Sequence, residues 1–330
     1  MHRLFNWRIS SGRPGLRSPS GVCRIMSAYL ELRHAMFNAP LSLTTETAFE
    51  LPSYLHESGA HNPWVVANLH GKDIHSFLEG PCFDAFGNLW VTDIPFGRIF
   101  RITPTGEWDL IIKYDGWPNG LKFHPDGRLI IADYRHGLLA MDTDSRRISP
   151  LVTHYISQRF QGVNDLTFAK SGELYFTDQG QSGLHDPAGC VYRLKVDGTL
   201  QQLLSNVPGP NGLVLSPDEH FLFVAVTRDN AIWRVPLVEG GVSKVGKFIQ
   251  LSGGTGPNGI TGDDDGNLYV AHHGLGCLWQ FDKRGEPKYR VDSSRGDWTT
   301  NVAINQQRPN ELFITESLTG TILRVTMPLY

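Results

Sequence analysis

Six short polar segments recur along the chain, and the oxygen-bearing side chains in them could bind a metal ion. The segments are Glu79-Gly80-Pro81, Pro118-Asn119-Gly120, Val163-Asn164-Asp165, Pro210-Asn211-Gly212, Pro257-Asn258-Gly259 and Thr300-Asn301-Val302. Ligand sets made only of oxygen suit hard cations such as Ca²⁺ and Mg²⁺. The candidate ligands of one divalent ion are Glu79, Asn164, Asn211 and Asn258, with Ca²⁺ expected first and Mg²⁺, Mn²⁺ or Zn²⁺ as alternatives.

A single Asn-Gly pair is also ordinary turn chemistry, because both residues tolerate a left-handed backbone. The regular spacing favours binding over this alternative. We call one residue of each segment its marker: Glu79, Asn119, Asn164, Asn211, Asn258 and Asn301. The steps between successive markers are 40, 45, 47, 47 and 43 residues. A ring of polar groups in register and without partners would be costly inside a protein.

Two further motifs have weaker signals. The run Asp263-Asp264-Asp265-Gly266 lacks the spacing and the terminal Glu of an EF-hand, so we interpret it as a hairpin turn. The pair His272-His273 leaves three roles open: metal ligation, proton transfer and substrate contact. The sequence has no G-x-S-x-G, H-E-x-x-H or Walker motif, and it therefore offers no support for a serine hydrolase, a zinc peptidase or a nucleotide hydrolase.

Short apolar strands that end in a polar residue follow the markers. They include Leu89-Trp90-Val91-Thr92-Asp93, Leu129-Ile130-Ile131-Ala132-Asp133, Leu174-Tyr175-Phe176-Thr177-Asp178, Leu268-Tyr269-Val270-Ala271-His272 and Leu312-Phe313-Ile314-Thr315-Glu316. Most are preceded by a turn signal and followed by another short strand. A period of about 40–50 residues with several strands in each unit is typical of a propeller. The predicted fold is all-β, a six-bladed β-propeller of four-stranded blades.

The propeller geometry predicts where the polar residues meet. Each marker begins the innermost strand of a blade, and the second strand returns to the same face. We therefore expect a crowded channel mouth formed by Asp93, Asp133, Asp178, Arg228, His272, His273 and Glu316. The segment before Glu79, including residues 65–69, is expected to supply the outer strand that closes the ring.

Composition restricts the partners. The chain has 330 residues, 35 of them Gly, and a net charge of −3, which gives no electrostatic reason to expect nucleic acid. No run of about 18 apolar residues predicts a membrane span. The four cysteines, Cys23, Cys82, Cys190 and Cys277, have no metal-ligand spacing. We expect buried free thiols, a reducing compartment such as the cytoplasm, and a monomer or weak dimer.

The first 45 residues differ from the rest. Residues 1–30 hold five arginines and no acidic residue. This composition is typical of a mitochondrial presequence, which makes mitochondria the alternative location. It also fits an extension upstream of a later start at Met26 or Met36. We expect residues 1–45 to be a disordered or targeting extension and residues 46–330 to be the propeller.

From about Glu79 to Val325 the sequence resembles the senescence-marker-protein, gluconolactonase and luciferin-regenerating-enzyme family. The resemblance is carried by Glu79-Gly80-Pro81, Val163-Asn164-Asp165, Gly209-Pro210-Asn211-Gly212, Gly256-Pro257-Asn258-Gly259 and Leu174-Tyr175-Phe176-Thr177-Asp178-Gln179-Gly180. It implies a metal-dependent carboxylic-ester hydrolase, typically a lactonase acting on sugar acids. The glutamate ligand of the family falls on Glu79 and its two asparagine ligands on Asn164 and Asn211.

The aspartate of the family, which is both a ligand and the proposed base or nucleophile, falls on Asn258. An amide oxygen can bind metal, but an amide cannot accept a proton from water at neutral pH. Three outcomes are open. Metal-bound hydroxide attacks directly; another base serves, with Asp165, His272 and Asp93 as candidates in that order; or the protein is no longer a lactonase.

The sequence thus predicts a lactone hydrolase of the gluconolactonase type, with a small-molecule lactone as partner and with neither nucleic acid nor membrane as partners. The alternatives are hydrolysis of a phosphoester or of a secondary-metabolite lactone, and a non-catalytic binding propeller. Besides the candidate catalytic residues Asn258, Asp165 and His272, topology predicts substrate contacts from Asn119, Tyr134, Arg135, Gln179, Arg228, His273 and Trp298.

Overall fold

A computed structural model of the chain describes residues 39–328. Strands β1 (Leu41–Thr44) and β2 (Glu46–Glu50) come first, followed by helix α1 (Pro63–Leu69). Six sheets then follow along the chain, and the innermost strands of neighbouring sheets contact one another around a closed ring. The six-bladed β-propeller predicted from the sequence is confirmed.

The blades are numbered in chain order. Blade 1 consists of β3 (Leu78–Phe83), β4 (Leu89–Asp93), β5 (Arg98–Ile102) and β6 (Trp108–Lys113). Blade 2 consists of β7 (Pro118–Phe123), β8 (Leu129–Asp133), β9 (Gly137–Met141) and β10 (Ile148–Val152). The small hairpin after it is β11 (His154–Tyr155) and β12 (Gln158–Arg159). Blade 3 consists of β13 (Val163–Phe168), β14 (Leu174–Asp178), β15 (Gly189–Leu194) and β16 (Leu200–Val207).

The second half of the ring has additional strands. Blade 4 consists of β17 (Pro210–Leu215), β18 (Phe221–Val226), β19 (Ala231–Val238), the short β20 (Gly241–Val242) and β21 (Gly246–Gln250). Blade 5 consists of β22 (Gly256–Gly262), β23 (Leu268–His273), β24 (Cys277–Phe281) and β25 (Pro287–Asp292), with β1 added at its edge. Blade 6 consists of β26 (Thr299–Asn305), β27 (Arg308–Glu316), β28 (Thr321–Thr326) and β2.

The ring is closed by a strand from the other end of the chain. Strand β2 pairs antiparallel with β28 and completes blade 6, and Arg324 binds Glu46 across the pair at 2.6 Å. The closing strand therefore does come from the segment before Glu79, as expected. The prediction that it includes residues 65–69 was wrong, because those residues lie in α1.

The helix has a clear local cause. The side chain of Asn62 accepts hydrogen bonds from the backbone of Trp64 and Val65, and Pro63 occupies the first helical turn. His70 then ends the helix with a left-handed backbone. Strand β1 also begins before the expected boundary at residue 46, while residues 1–38, and with them most of the predicted extension, lie outside the described residues.

Apolar side chains fill the spaces between blades. Between blades 6 and 1, for example, Val91 and Phe100 pack with Phe313 and Ile322. Cys82, Cys190 and Cys277 are buried and free, as the sequence predicted. None of the helices in residues 39–328 is long and apolar enough to cross a membrane.

Every innermost strand is irregular at its marker. A register shift falls at or beside the marker in each blade, as between Glu79 and Cys82 or between Pro118 and Leu121. Bulges of this kind bend a strand and redirect its side chains. The strands also approach each other closely: Gly80 has φ +54°, and a Cβ on it would overlap the carbonyl of Asn119. In blade 1 the bulge and the glycine together bring Glu79 against the next blade.

Candidate metal centre

The markers form a contiguous ring at the start of the innermost strands. A Cβ on Gly120 would lie 3.0 Å from the Asn164 carbonyl oxygen, and a Cβ on Gly212 would lie 2.8 Å from that of Asn258. Between blades 6 and 1, the Asn301 amide nitrogen donates to Glu79 Oε2 at 2.9 Å. Five of the six marker side chains are buried, and Asn258 is half-buried.

Three amide oxygens in this ring are buried without a hydrogen-bond partner among residues 39–328. They are the Oδ1 atoms of Asn119, Asn211 and Asn258. A buried polar atom left unpaired costs about 1–3 kcal/mol, so three in one ring need an explanation. Together with the Glu79 carboxylate they form a set of hard oxygen donors, and such a set fits a divalent cation.

Amides supply most of these donors. Within the described residues, no three His, Cys, Asp or Glu side chains gather into a metal-binding group. Asn164 belongs to the set as well, because Gln179 accepts a hydrogen bond from its Nδ2 at 3.1 Å and leaves its oxygen available. Gln179, predicted as a substrate contact, thus orients a candidate ligand.

Asp165 faces Asn301 across the channel. Its Oδ2 lies 3.4 Å from the Asn301 nitrogen that also binds Glu79, and blades 3 and 6 are opposite each other in the ring. At the equivalent position blades 1 and 2 carry Gly80 and Gly120. The carboxylate of Asp165 therefore reaches the channel axis, where the glycines of blades 1 and 2 leave space.

Both buried carboxyl groups hold their protons more tightly than usual. Burial raises the pKa of Glu79 to about 7, and the nearby charge of Asp165 adds to the effect. Burial likewise raises the pKa of Asp165, against the opposing charge of Lys122. A bound cation would favour the ionised form of both groups. Lys122, which the sequence analysis did not single out, is thus the cation that acts on this pair.

His272, the second candidate base, is fully buried and committed to the fold. Its Nδ1 accepts a hydrogen bond from Trp279 Nε1 at 3.2 Å, and its Nε2 lies 3.0 Å from the Gly253 carbonyl. Burial also lowers its pKa. Since both nitrogens already have partners, the structure does not support the prediction that His272 acts as a base.

Asp93, the third candidate base, is also structural. It forms an ion pair with Arg98, and its Oδ1 accepts a hydrogen bond from the Phe77 backbone at 2.7 Å. The carboxylate is fully buried, so it cannot reach a substrate at the mouth.

The other acids that end second strands have the same role as Asp93. Each accepts a backbone hydrogen bond from the segment that leads into the innermost strand: Asp133 from Trp117, Asp178 from Gly162 and Glu316 from Trp298. All are buried. They lie at the predicted end of their blades, but these hydrogen bonds turn them into the fold, where they fix the start of each innermost strand.

The mouth is covered on one side by a segment that the sequence analysis missed. Asn62, which caps α1, donates to the Pro95 carbonyl in blade 1 at 2.6 Å. At the other end of α1, Asn68 Oδ1 accepts from Gln181 of blade 3 at 3.3 Å. Beyond the helix, Lys72 lies 4.3 Å above the ring of Trp298, at the start of blade 6. Asn62-Pro63 and Gly71 are helix start and stop signals that could have predicted this helix.

The remaining residues predicted to contact substrate differ in where they lie and in what they bind. Tyr134 receives a hydrogen bond from Gln181 at 2.7 Å, and His273 and Trp298 contact each other with ring centroids 5.5 Å apart. Arg135 instead pairs with Asp115 and lines an open cavity of about 740 Å³ beside the start of α1. Of these residues, Arg228 alone is exposed on the side of the mouth that α1 leaves open.

The stretch of chain that supplies this ring of oxygen donors matches a known family. Residues 77–317 match the family described as the SMP-30/gluconolactonase/LRE-like region. The chain belongs to this family. The resemblance inferred from the markers is thereby confirmed.

Comparison with individual proteins gives the degree of similarity in sequence and fold. Lactonase drp35 of Staphylococcus aureus is 33% identical over 238 residues, which is 68% of this chain and 71% of that protein. A gluconolactonase structure from Xanthomonas campestris superposes with a TM-score of 0.69 at 23% identity, covering 86% of this chain and 99% of that one. A calcium-binding regucalcin from Agrobacterium tumefaciens gives 0.69 at 21% identity, covering 88% and 99%.

Proposed function

We propose that this chain is a metal-dependent lactonase that opens the lactone of a sugar acid. The observation that carries the proposal is the ring of unpaired amide oxygens from Asn119, Asn211 and Asn258 beside the Glu79 carboxylate. The relatives named lactonase and gluconolactonase support the reaction, and the protein named calcium-binding supports the cofactor.

The chain's own residues would hold and orient the ion. Glu79, Asn164, Asn211 and Asn258 are the proposed ligands, and Asn119 offers a fifth oxygen for the ion or for the substrate. Asn301 fixes Glu79, and Gln179 fixes Asn164. A divalent ion held here supplies Lewis acidity toward a lactone carbonyl.

Asp165 is the proposed proton acceptor. Of the three candidate bases, only Asp165 reaches the channel axis, while His272 and Asp93 are bound within the fold. Its Oδ1 accepts a hydrogen bond from the Leu166 backbone at 2.8 Å, which holds the carboxylate in place. This assignment restores to the ring the proton acceptor that Asn258 cannot provide.

We also propose that the protein works in a reducing compartment of the cell. Burial raises the pKa of Cys82 and that of Cys277 to about 12, so these thiols stay protonated and poorly reactive. Unpaired thiols support a reducing compartment such as the cytoplasm.

The test is hydrolysis of glucono-δ-lactone, followed by acid release, together with metal analysis of the purified protein. We expect about one equivalent of divalent metal and turnover that EDTA abolishes and Ca²⁺ or another divalent ion restores. Glu79→Gln should lose both metal and activity. Glu107→Gln, at an exposed hairpin on the opposite face, is the matched control and should keep both. Turnover that ignores EDTA and Glu79→Gln would contradict the proposal, and metal-free protein without turnover would favour a binding module.

A further inference from the structure

The mouth of the channel is open on the side of blades 4 and 5. The segment with α1 reaches from blade 1 to blade 3, and Lys72 returns it to blade 6. Asn258, in blade 5, is the one marker that is not fully buried. A ligand that reaches the ring of markers therefore passes over the uncovered rim.

Four side chains form this rim, which we call the mouth arc: Arg228, His273, Trp298 and Lys72. The stem of Arg228 lies over Gly209, two residues before Asn211, where a Cβ would come within 2.9 Å of Arg228 Cγ. Burial lowers the pKa of His273, and Arg228 is near enough for its charge to lower that pKa further. Trp298 contacts His273 on one side and Lys72 on another.

The two cations of the mouth arc have no anionic partner. Among residues 39–328, neither the guanidinium of Arg228 nor the ammonium of Lys72 forms a hydrogen bond or an ion pair, although both are exposed. The acid next to Arg228 is already engaged, because Asp229 binds Lys247 at 2.8 Å and Trp233 at 2.7 Å. Asp73 follows Lys72 in the chain and forms no ion pair with it.

One carboxylate opposes these cations. Asp297 is exposed beside Trp298, and its charge raises the pKa of His273 against the effects of burial and Arg228. The mouth arc therefore carries two cations without an ion pair and an imidazole whose pKa is lowered, and Asp297 is the acid whose charge acts on that imidazole. Guanidinium and ammonium groups bind carboxylate and phosphate through charge-assisted hydrogen bonds.

We propose that the mouth arc binds an anionic group on the substrate, a carboxylate or a phosphate placed away from the lactone ester. This inference rests on the proposed lactonase function and narrows its substrate class. The lactone lies over the ring of markers, while its charged end contacts Arg228 and Lys72. A contact of 3.1 Å between His273 Nδ1 and Thr255 Oγ1 holds the imidazole in place. In the mouth arc, His273 lies between the two cations.

The test compares three lactones of one sugar: neutral glucono-δ-lactone, a lactone with a carboxylate at carbon 6, and a lactone with a phosphate there. In the variant Arg228→Gln/Lys72→Gln, the kcat/KM for the anionic lactones relative to the neutral one should fall about tenfold. Asp297→Asn should raise the same ratio, and added salt should lower it in the unmodified protein. Arg284→Gln, in an exposed hairpin on the opposite face, is the control and should leave the ratio unchanged.

The two anionic substrates distinguish the sources of the charge. Preference for the carboxylated or for the phosphorylated lactone supports the mouth arc and identifies its ligand. A ratio that does not respond to Arg228→Gln/Lys72→Gln or to Asp297→Asn overturns the inference.

Equilibrium binding separates this inference from the proposed function. The ring-opened dicarboxylate and the ring-opened monocarboxylate are titrated calorimetrically into the unmodified protein and into Arg228→Gln/Lys72→Gln. Tighter binding of the dicarboxylate, lost in the variant, supports the mouth arc even if no lactone is hydrolysed. Equal binding of both acids, with lactone turnover intact, overturns the arc and leaves the lactonase proposal standing.

Discussion

Asn301 donates its side-chain amide to Glu79 across 2.9 Å, although 222 positions separate the two residues in the chain. The contact joins the last blade to the first, so it exists only when the ring is closed. It also fixes the one carboxylate among the six markers. Ring closure and the position of the proposed metal ligand Glu79 are therefore coupled through this hydrogen bond.

Asn301→Ala should weaken metal binding about 10- to 100-fold, as expected when a group that orients a ligand is removed. Without the amide donor, Glu79 loses a partner that favours its ionised form. Calorimetric titration with Ca²⁺ measures the effect. Asn206→Ala, at an exposed strand end, is the control and should bind as the unmodified protein does. Unchanged affinity in Asn301→Ala would show that Glu79 is not positioned by this contact.

Asn258→Asp should bind the metal at least about tenfold more tightly and turn over lactone faster. A carboxylate attracts a cation more strongly than an amide and can accept a proton, as an amide cannot. Titration and initial rates measure the two effects separately. Tighter binding with slower turnover would mean that the site is adapted to the amide and that the acceptor lies elsewhere.

Asp165→Asn should lower kcat by about 10²- to 10⁴-fold if the carboxylate is the proton acceptor. The amide can keep the hydrogen bond from Leu166, so the variant should unfold at a similar temperature to the unmodified protein. Circular dichroism provides this check. Activity within a few-fold of the unmodified protein would remove Asp165 from the mechanism.

Asp93→Asn is expected to behave in the opposite way and act on stability. It removes the buried carboxylate that pairs with Arg98, which is 2% exposed, and leaves the guanidinium only the longer ion pair with Glu57 at 3.6 Å. Removal of one partner from a buried ion pair costs about 3–5 kcal/mol. Urea unfolding should show the loss, while the folded fraction should retain its turnover per molecule. A loss of turnover without a loss of stability would return Asp93 to the list of candidate bases.

Acid should destabilise the fold through the histidines of blade 5. Burial lowers the pKa of His273 to about 4 and also lowers that of His272. The unfolded chain takes up protons at these groups below about pH 6.5, whereas folded His273 does so only near pH 4. Their stabilising effect is therefore complete above pH 6.5 and is lost as the pH falls toward 4.

The pH effect is measured by urea unfolding at pH 7.5 and pH 5. His273→Gln should show a smaller difference between the two pH values than the unmodified protein. His220→Gln, which changes an exposed histidine in a hairpin, is the control and should keep the full difference. An equal pH dependence in His273→Gln and the control would mean that other groups cause the acid sensitivity.

The helix over the mouth should depend on its cap. Asn62→Ala removes the acceptor for the backbone of Trp64 and Val65 and the bond to Pro95, at a cost of about 0.5–2 kcal/mol. Hydrogen exchange of residues 63–69 should become faster while that of the blades stays the same. Unaltered exchange in α1 would show that its packing, and not the cap, holds the segment in place.

Much of this protein was readable from its sequence because the information is periodic. The repeat of markers and apolar strands predicted six blades, and Glu79 with its amide counterparts was identified from spacing alone. Periodicity works because each blade buries the same faces against its neighbours. Asn258 follows the repeat, and it was recognised as a departure only because the family that the sequence resembles has an aspartate there.

Tertiary structure decided what each polar residue binds. Asp165, His272 and Asp93 were all candidates to take a proton, in that order, since residue type and position along a strand do not reveal hydrogen-bond partners. Folding placed Asp93 against Arg98 and His272 against Trp279, and it left Asp165 at the channel axis. For the same reason, residues 65–69 form helix α1 and not the expected closing strand, and β2 closes the ring in their place. Local signals govern where an element forms, whereas contacts between residues far apart in the chain govern what it covers.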